Sequence, residues 1–71
     1  MPDFYSNAYL KGKKLQTDAD FQNAIWFNLW VDIYRHGELV EYGGFIERSN
    51  EHAVWINGGY FLRNKWQIIV R

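Results

Sequence analysis

The chain has 71 residues, with eight Lys and Arg against eight Asp and Glu, no cysteine, and 20% aromatic residues including four tryptophans. This length predicts one domain near the lower limit for a self-sufficient core, and the missing cysteine excludes disulfides and thiolate metal sites. A net charge of zero argues against a uniformly cationic nucleic-acid-binding surface, so such binding would need local clusters of Lys and Arg.

The apolar segments and the aromatic content bear on location and partners. No apolar run approaches the roughly 18 residues of a membrane-spanning helix, and the first ten residues lack the basic-then-apolar layout of a signal peptide. We therefore predict a cytoplasmic protein without a membrane partner. Four tryptophans exceed what so small a core would absorb, so some are expected at the surface or between subunits.

The first segment, residues 1–14, shows no clear periodicity and ends in a basic run with Lys11, Lys13 and Lys14. It is interpreted as an N-terminal arm, followed by a domain over residues 15–71. Either Thr17 or Asp18 can cap a helix by accepting a hydrogen bond from a first-turn amide. An amphipathic stripe at helical spacing predicts that this helix runs to residue 26 or 27; its members are Phe21, Ala24 and Ile25.

From residue 29 the apolar period changes from helical to two, as in strands. Leu29, Val31 and Ile33 should face one side, and the opposite side should carry Trp30, Asp32 and Tyr34. The His36-Gly37 pair predicts a tight turn, and Gly43-Gly44 predicts a bend or bulge inside a long strand. Further turns at 49–50 and 57–59 complete a meander of strands. A helix followed by such a meander favours a small barrel.

Groups for catalysis are scarce. Ser6 and Ser49 are the only serines, neither lies in a Gly-x-Ser-x-Gly motif, and there is no cysteine nucleophile. His36 and His52 lack the spacing of a metal site. The sequence therefore predicts no enzyme, with no catalytic residues, no metal, no cofactor and no small-molecule substrate.

Several segments together resemble the Sm-like family, and its bacterial Hfq members in particular. They are Leu15-Gln16, FQNAI at 21–25, VDIY at 31–34, the glycine-bent strand ending in FIE at 45–47, Asn50-Glu51-His52, and Leu62-Arg63-Asn64 before the last strand. The resemblance covers about residues 15–70, with the two Sm motifs at 31–56 and 62–70.

This resemblance implies an N-terminal α-helix on a strongly bent, five-stranded open barrel. It implies a homo-oligomeric ring, in which the strand near residues 60–63 of one subunit pairs with the strand near 66–70 of the next. Such pairing would remove the unpaired edges of a small open sheet. The implied ligand is single-stranded RNA, U-rich or A-rich, in an RNA chaperone or RNA-metabolism role.

The family's RNA-binding residues correspond to six positions of this chain. His52 would stack on a base, Arg63 would bring a cation to phosphate and base, and Asn64 would donate to a base edge. The other positions are Gln16 at uracil, Asn50 in the loop before His52, and Tyr34 stacking adenine on the opposite face. The ordinary alternatives are an exposed turn histidine, a charged hairpin end, polar residues beside a cap and a turn, and a packed strand aromatic.

Some positions depart from the family pattern. Glu51 adds a negative charge near the expected RNA path, and Trp26-Phe27-Asn28 replaces the basic rim that follows the helix in Hfq. Lys11, Lys13 and Lys14 could supply further phosphate contacts. The alternative function is an SH3-like barrel that serves as a structural or protein-interaction module without RNA binding; its peptide groove or subunit interface would use Trp26, Trp30, Trp55 and Trp66.

Overall fold

One helix and five strands make up residues 10–71, the part of the chain that the computed structural model describes. In chain order they are α1 (Asp18–Trp26), β1 (Trp30–Arg35), β2 (Glu38–Ser49), β3 (Ala53–Ile56), β4 (Gly59–Leu62) and β5 (Gln67–Val70). The fold is thus mainly β with a short helix in front, as the sequence predicts. No helix within these residues is long and apolar enough to cross a membrane.

Helix α1 begins with two reciprocal hydrogen bonds. Thr17 Oγ1 accepts from the amide of Asp20 at 3.0 Å, and the Asp20 carboxylate accepts from the amides of Gln16 at 2.9 Å and Thr17 at 3.1 Å. These two amides lower the pKa of Asp20 because they stabilise its charged form. Thr17 is therefore the N-cap, and Phe21 and Ala24 of the predicted stripe are buried.

The strands form one antiparallel sheet in the order β4-β3-β2-β1-β5. The long strand β2 belongs to both halves, because its residues up to Phe45 pair with β1 and those from Ile46 pair with β3. Strand β5 pairs with the other side of β1. Within residues 10–71 no pairing joins β4 to β5, so backbone hydrogen bonds leave the sheet open.

Strand β2 bends at Gly43. Val31 pairs with Gly44 and Asp32 pairs with Tyr42, so Gly43 is an extra residue that opposes no residue of β1. A Cβ at this position would overlap the carbonyl oxygen of Val31, which only glycine can approach so closely. The predicted bend at Gly43-Gly44 is thereby confirmed as a bulge in the β1–β2 ladder.

One face of the sheet packs against α1 to form the core. The predicted alternation is confirmed for the inner side of β1, where Val31 and Ile33 are buried, and Leu29, directly before the strand, is buried with them. The buried cluster also holds Leu15, Phe21, Ala24, Ile46, Val54, Ile56, Ile68 and Val70, and the partly buried Phe61 of β4 packs against it. Many aromatic side chains remain outside this core, including Trp26, which is 80% exposed.

Asp32 lies on the outer side of β1, and yet it is only 5% exposed. Arg71 covers it, donating from Nε to Oδ2 at 2.9 Å and from a terminal nitrogen to Oδ1 at 2.5 Å, while the amide of Gly43 donates to Oδ1 at 3.1 Å. The Arg71 bonds are the largest cause of the lowered pKa of Asp32. The guanidinium also lies 4.6 Å from the ring of Trp30, so a charged pair is screened by an aromatic surface.

Residues 12–15 run antiparallel along the outer edge of β5. The amide of Gly12 donates to Val70 O at 2.7 Å, Val70 donates to Lys13 O at 2.9 Å, and Leu15 donates to Ile68 O at 2.9 Å. The end of the predicted arm is therefore attached to the sheet, whereas its residues 1–9 lie outside the described residues. The predicted free edge over residues 66–70 is occupied at Ile68 and Val70, because the buried Leu15 anchors this segment against the sheet.

We expect Gly43→Ala to lower the free energy of unfolding by about 1–3 kcal/mol, because the added methyl group must displace the backbone of Val31. Gly59→Ala is the matched control: its Cβ would meet only Ile56 O at 3.9 Å, an ordinary contact, so a change below about 0.5 kcal/mol is expected. Urea denaturation of both variants makes the comparison. Equal stability of the two would contradict the role assigned to Gly43.

Candidate functional site

A cleft of about 460 Å³ opens where three separate segments of the chain meet, and we call it the main cleft. The segment before α1, the β2–β3 turn and the end of β4 form its walls. Its lining residues are Gln16, Glu51, His52, Leu62, Arg63 and Asn64. Four of the six residues that the sequence assigns to RNA binding therefore surround one cavity, although they come from positions as far apart as 16 and 64.

Arg63 holds these three segments together. One terminal nitrogen of its guanidinium donates to Asp18 Oδ1 at 2.7 Å and to Asn50 O at 2.6 Å, and the other donates to Gln16 O at 3.0 Å. The guanidinium also lies 4.3 Å from the ring of Phe21. The Arg63 side chain is only 14% exposed. Most of its hydrogen-bonding capacity is therefore used inside the chain, where it shapes the cleft.

Asn50 fixes the turn that carries His52 into the cleft. Its side-chain oxygen accepts hydrogen bonds from the amides of His52 and Ala53, both at 2.8 Å. These bonds add to the backbone bond within the turn, in which the amide of Asn50 donates to Ala53 O at 2.9 Å. The amide of Arg63 then donates to His52 O at 2.8 Å. Asn50 thus supports the main cleft from behind and does not line it.

His52 and Glu51 form the outer rim of the main cleft. The His52 Nε2 and Glu51 Oε2 atoms are 3.2 Å apart, and both side chains are largely exposed. An exposed imidazole offers a flat face for stacking, and the side-chain amides of Gln16 and Asn64 offer both donors and acceptors. Such a set suits a planar ligand with polar edges, whereas Glu51 disfavours an additional negative charge at this rim.

Tyr34 lies away from the main cleft. It is half-buried on β1, where it pairs with Leu39 of β2 and Gln67 of β5. The sequence expects Tyr34 on a face opposite to the other site residues, and it is not among the residues of the cleft wall. Of the predicted basic residues, Lys13 lies 3.8 Å from Asp20.

The sequence did not reveal the inward direction of Arg63. The alternative interpretation of Arg63 was a charged hairpin end on a solvated face. The Arg63 guanidinium is instead stacked on Phe21 and hydrogen-bonded inside the chain. The usable signal was the pair of positions Asp18 and Phe21 at the start of α1, an anion and an aromatic ring that could receive a guanidinium. No spacing along the chain indicates that these positions meet residue 63.

Comparisons with known proteins add no family assignment: no family model matches the chain, and neither a curated protein nor a solved structure is significantly similar to it. Within residues 10–71 no group of three or more His, Asp or Glu side chains could hold a metal ion.

We expect Arg63→Ala to lower the free energy of unfolding by about 1.5–3 kcal/mol, because carbonyl oxygens of two loops lose a charged donor. Arg63→Lys should recover only part of this loss, since an ammonium cannot reproduce the planar fork of a guanidinium. Arg48→Ala is the control, because Arg48 is exposed and stacks on Trp55 at 4.1 Å. It should cost less than about 1 kcal/mol. Thermal or urea unfolding measures all three, and equal losses for Arg63→Ala and Arg48→Ala would refute the internal role of Arg63.

Proposed function

We propose that this chain is an Sm-like protein: a strongly bent, open five-stranded barrel that assembles into a homo-oligomeric ring and binds single-stranded RNA without catalysis. The observation that carries the proposal is the meeting of Gln16, His52, Arg63 and Asn64 around the main cleft. These positions were assigned from motifs that are distant in sequence. Their meeting in space is what a shared ligand requires.

The sheet supports the barrel part of the proposal. A bulge at Gly43 bends β2 so that one strand serves both halves of the sheet, and a bend of this kind curls a small sheet toward closure. The two edges of such an open barrel would lie near each other without being paired. Residues 12–15 pair with β5 from Ile68 to Val70, so β4 offers the longer edge to a neighbour, and a neighbour that pairs along all of β5 would have to displace residues 12–15.

The outer edge of β4 supports ring formation. The amide of Arg63 donates to His52 O on the β3 side, and amides of an antiparallel strand alternate in direction. The amide of Phe61 therefore also faces β3, while the amide of Tyr60 faces outward. Tyr60 is 61% exposed. The outward backbone groups of the edge strand β4 therefore lie beside an exposed aromatic side chain, where a strand of another subunit could pair with them.

The chemistry of the main cleft supports RNA as the ligand. A base would stack on the imidazole of His52, with its polar edge toward the amides of Gln16 and Asn64. Arg63 would act mainly as a positioning residue, since its donors already bind Asp18, Asn50 and Gln16. The negative Glu51 at the rim favours bases over phosphates inside this cleft.

The alternative, an SH3-like interaction module, draws less support from the aromatic side chains. Trp30 packs edge-to-face on Phe45, Trp55 packs against Tyr60, and Trp66 packs edge-to-face on Phe61. Among the described residues, each of these three tryptophans thus packs against a different phenylalanine or tyrosine, and no aromatic pair joins two tryptophans. A single peptide groove built from tryptophans is therefore the less favoured interpretation.

Ring formation predicts that native mass spectrometry at micromolar concentration will detect one closed species whose mass is a multiple of 8.5 kDa. Tyr60→Pro should shift it to monomer, because proline removes the outward amide of β4 without removing a bond to β3. Circular dichroism would verify that the variant stays folded. A monomeric wild-type chain under these conditions would disprove the ring.

RNA binding predicts that oligo-U or oligo-A binds the wild-type chain, and that His52→Ala weakens binding by about 1–3 kcal/mol, the usual effect of losing one stacked base. His52→Phe should retain most of the affinity because it keeps a flat aromatic face. Fluorescence anisotropy titrations provide the measurement. Equal affinity of His52→Ala and wild type would remove His52 from the site, and no binding of either oligonucleotide would overturn the proposed ligand.

A further inference from the structure

A second cleft, of about 260 Å³, lies beside the main cleft and shares Arg63 and Asn64 with it; we call it the basic cleft. It forms where residue 14, the β1–β2 turn and the β4–β5 turn come together. The remaining charged or titratable side chains that line it are Lys14, Arg35, His36 and Lys65. The sequence motifs assign no role to Arg35, His36 or Lys65.

The charge of the basic cleft differs sharply from that of the whole chain. Eight Lys and Arg balance eight Asp and Glu overall, and four of those eight basic residues line this one cleft. No Asp or Glu is among the described residues of its wall. Arg63 is neutralised by Asp18, but none of the ion pairs found within residues 10–71 involves Lys14, Arg35 or Lys65.

Trp66 holds two of these cations over the cleft. The guanidinium carbon of Arg35 lies 5.3 Å from the centre of the Trp66 ring, and Lys65 Nζ lies 5.9 Å from it. Phe61 supports the indole edge-to-face at 6.2 Å. A guanidinium that lies over a ring keeps its in-plane N–H donors free, and those donors match the paired oxygens of a phosphate.

The backbone around the cleft is also held in place. Gln67 Oε1 accepts a hydrogen bond from the amide of Gly37 at 3.0 Å, which ties the β1–β2 turn to the start of β5. Arg35 at the end of β1 and His36 in the turn are therefore fixed relative to Lys65 and Trp66. Three cations that form no ion pair within residues 10–71 are thus presented together, at a low further cost in ordering on binding.

We propose that the basic cleft binds the phosphodiester backbone of the RNA strand whose base occupies the main cleft. This inference rests on the proposed function and extends it by assigning the phosphates a separate site. The cations come from three separate segments of the chain, near residues 14, 35 and 65, and a strand has several phosphates to offer them, whereas one small anion has a single charged group. Arg63 and Asn64 line both clefts, so the clefts are adjacent and one strand is long enough to make base contacts in the first and backbone contacts in the second.

The test measures how the affinity for a short uridine oligonucleotide depends on salt between about 50 and 200 mM. Each lost phosphate contact should reduce the magnitude of the slope of log K against log salt concentration by about 0.7. We expect this reduction for Arg35→Gln and for Lys65→Gln, and about twice that for the double variant. Circular dichroism and native mass spectrometry would verify that fold and assembly are unchanged.

Two control variants separate the clefts. Arg48→Gln removes an arginine that also stacks on a tryptophan, Trp55, but lies outside the basic cleft, so its slope should equal that of the wild type. His52→Ala should weaken binding without changing the slope, because a stacked base carries no charge. If Arg48→Gln lowers the slope as much as Arg35→Gln does, general charge and not the basic cleft is responsible, and the proposal is overturned.

A strand of abasic sugar-phosphate units, uridine monophosphate and inorganic phosphate identify the source of the phosphate. The abasic strand should bind weakly, with the same dependence on Arg35 and Lys65 and none on His52. If the monophosphate or inorganic phosphate competes beyond the effect of matched ionic strength, a free phosphate group is the ligand and the strand is not. If the uridine oligonucleotide binds and the salt-dependence slopes of Arg35→Gln and Lys65→Gln equal that of the wild type, only the role of the basic cleft is overturned. If neither a uridine nor an adenine oligonucleotide binds, the proposed function is overturned as well.

Discussion

The bend of β2 at Gly43 organises this small domain. Because Gly43 lacks a side chain, the strand can approach the carbonyl oxygen of Val31, and the extra residue tilts the second half of β2 away from β1. One long strand can then pair with β1 and with β3, so both halves of the sheet bury their apolar faces against the same helix. In a chain of this length, a flat sheet would leave much of that surface in water.

The same curvature creates the main cleft, because it carries the β2–β3 turn and the end of β4 over the start of α1. Arg63 then fixes the arrangement by stacking on Phe21 and donating to the loops on either side. Arg63, which the family resemblance proposes as an RNA contact, thus holds together the three segments around the main cleft. Changes at Arg63 combine loss of shape with loss of charge, and His52 reports more directly on what the cleft binds.

Charge in this protein is balanced in total and separated in space. Asp20 accepts hydrogen bonds from backbone amides, and Asp32 accepts them from Arg71 and one backbone amide. Asp18 is paired with Arg63. Lys14, Arg35 and Lys65 meet around the basic cleft without such partners among the described residues. A net charge of zero therefore does not prevent a local positive field, since such fields depend on where charges lie within about a Debye length of one another.

Local patterns in the sequence determined the helix, the buried side of β1 and a bend or bulge at Gly43-Gly44, because each depends on neighbouring residues and on backbone geometry. They left the cap open between Thr17 and Asp18. The motifs also grouped His52, Arg63, Asn64 and Gln16 into one site. Only the tertiary structure decided that Arg63 points inward, that Arg71 covers Asp32, that residues 12–15 pair with β5 and that a basic cleft forms. These features join residues as far apart in the chain as Gly12 and Val70, and their free energies depend on three-dimensional proximity and burial, which no spacing along the chain encodes.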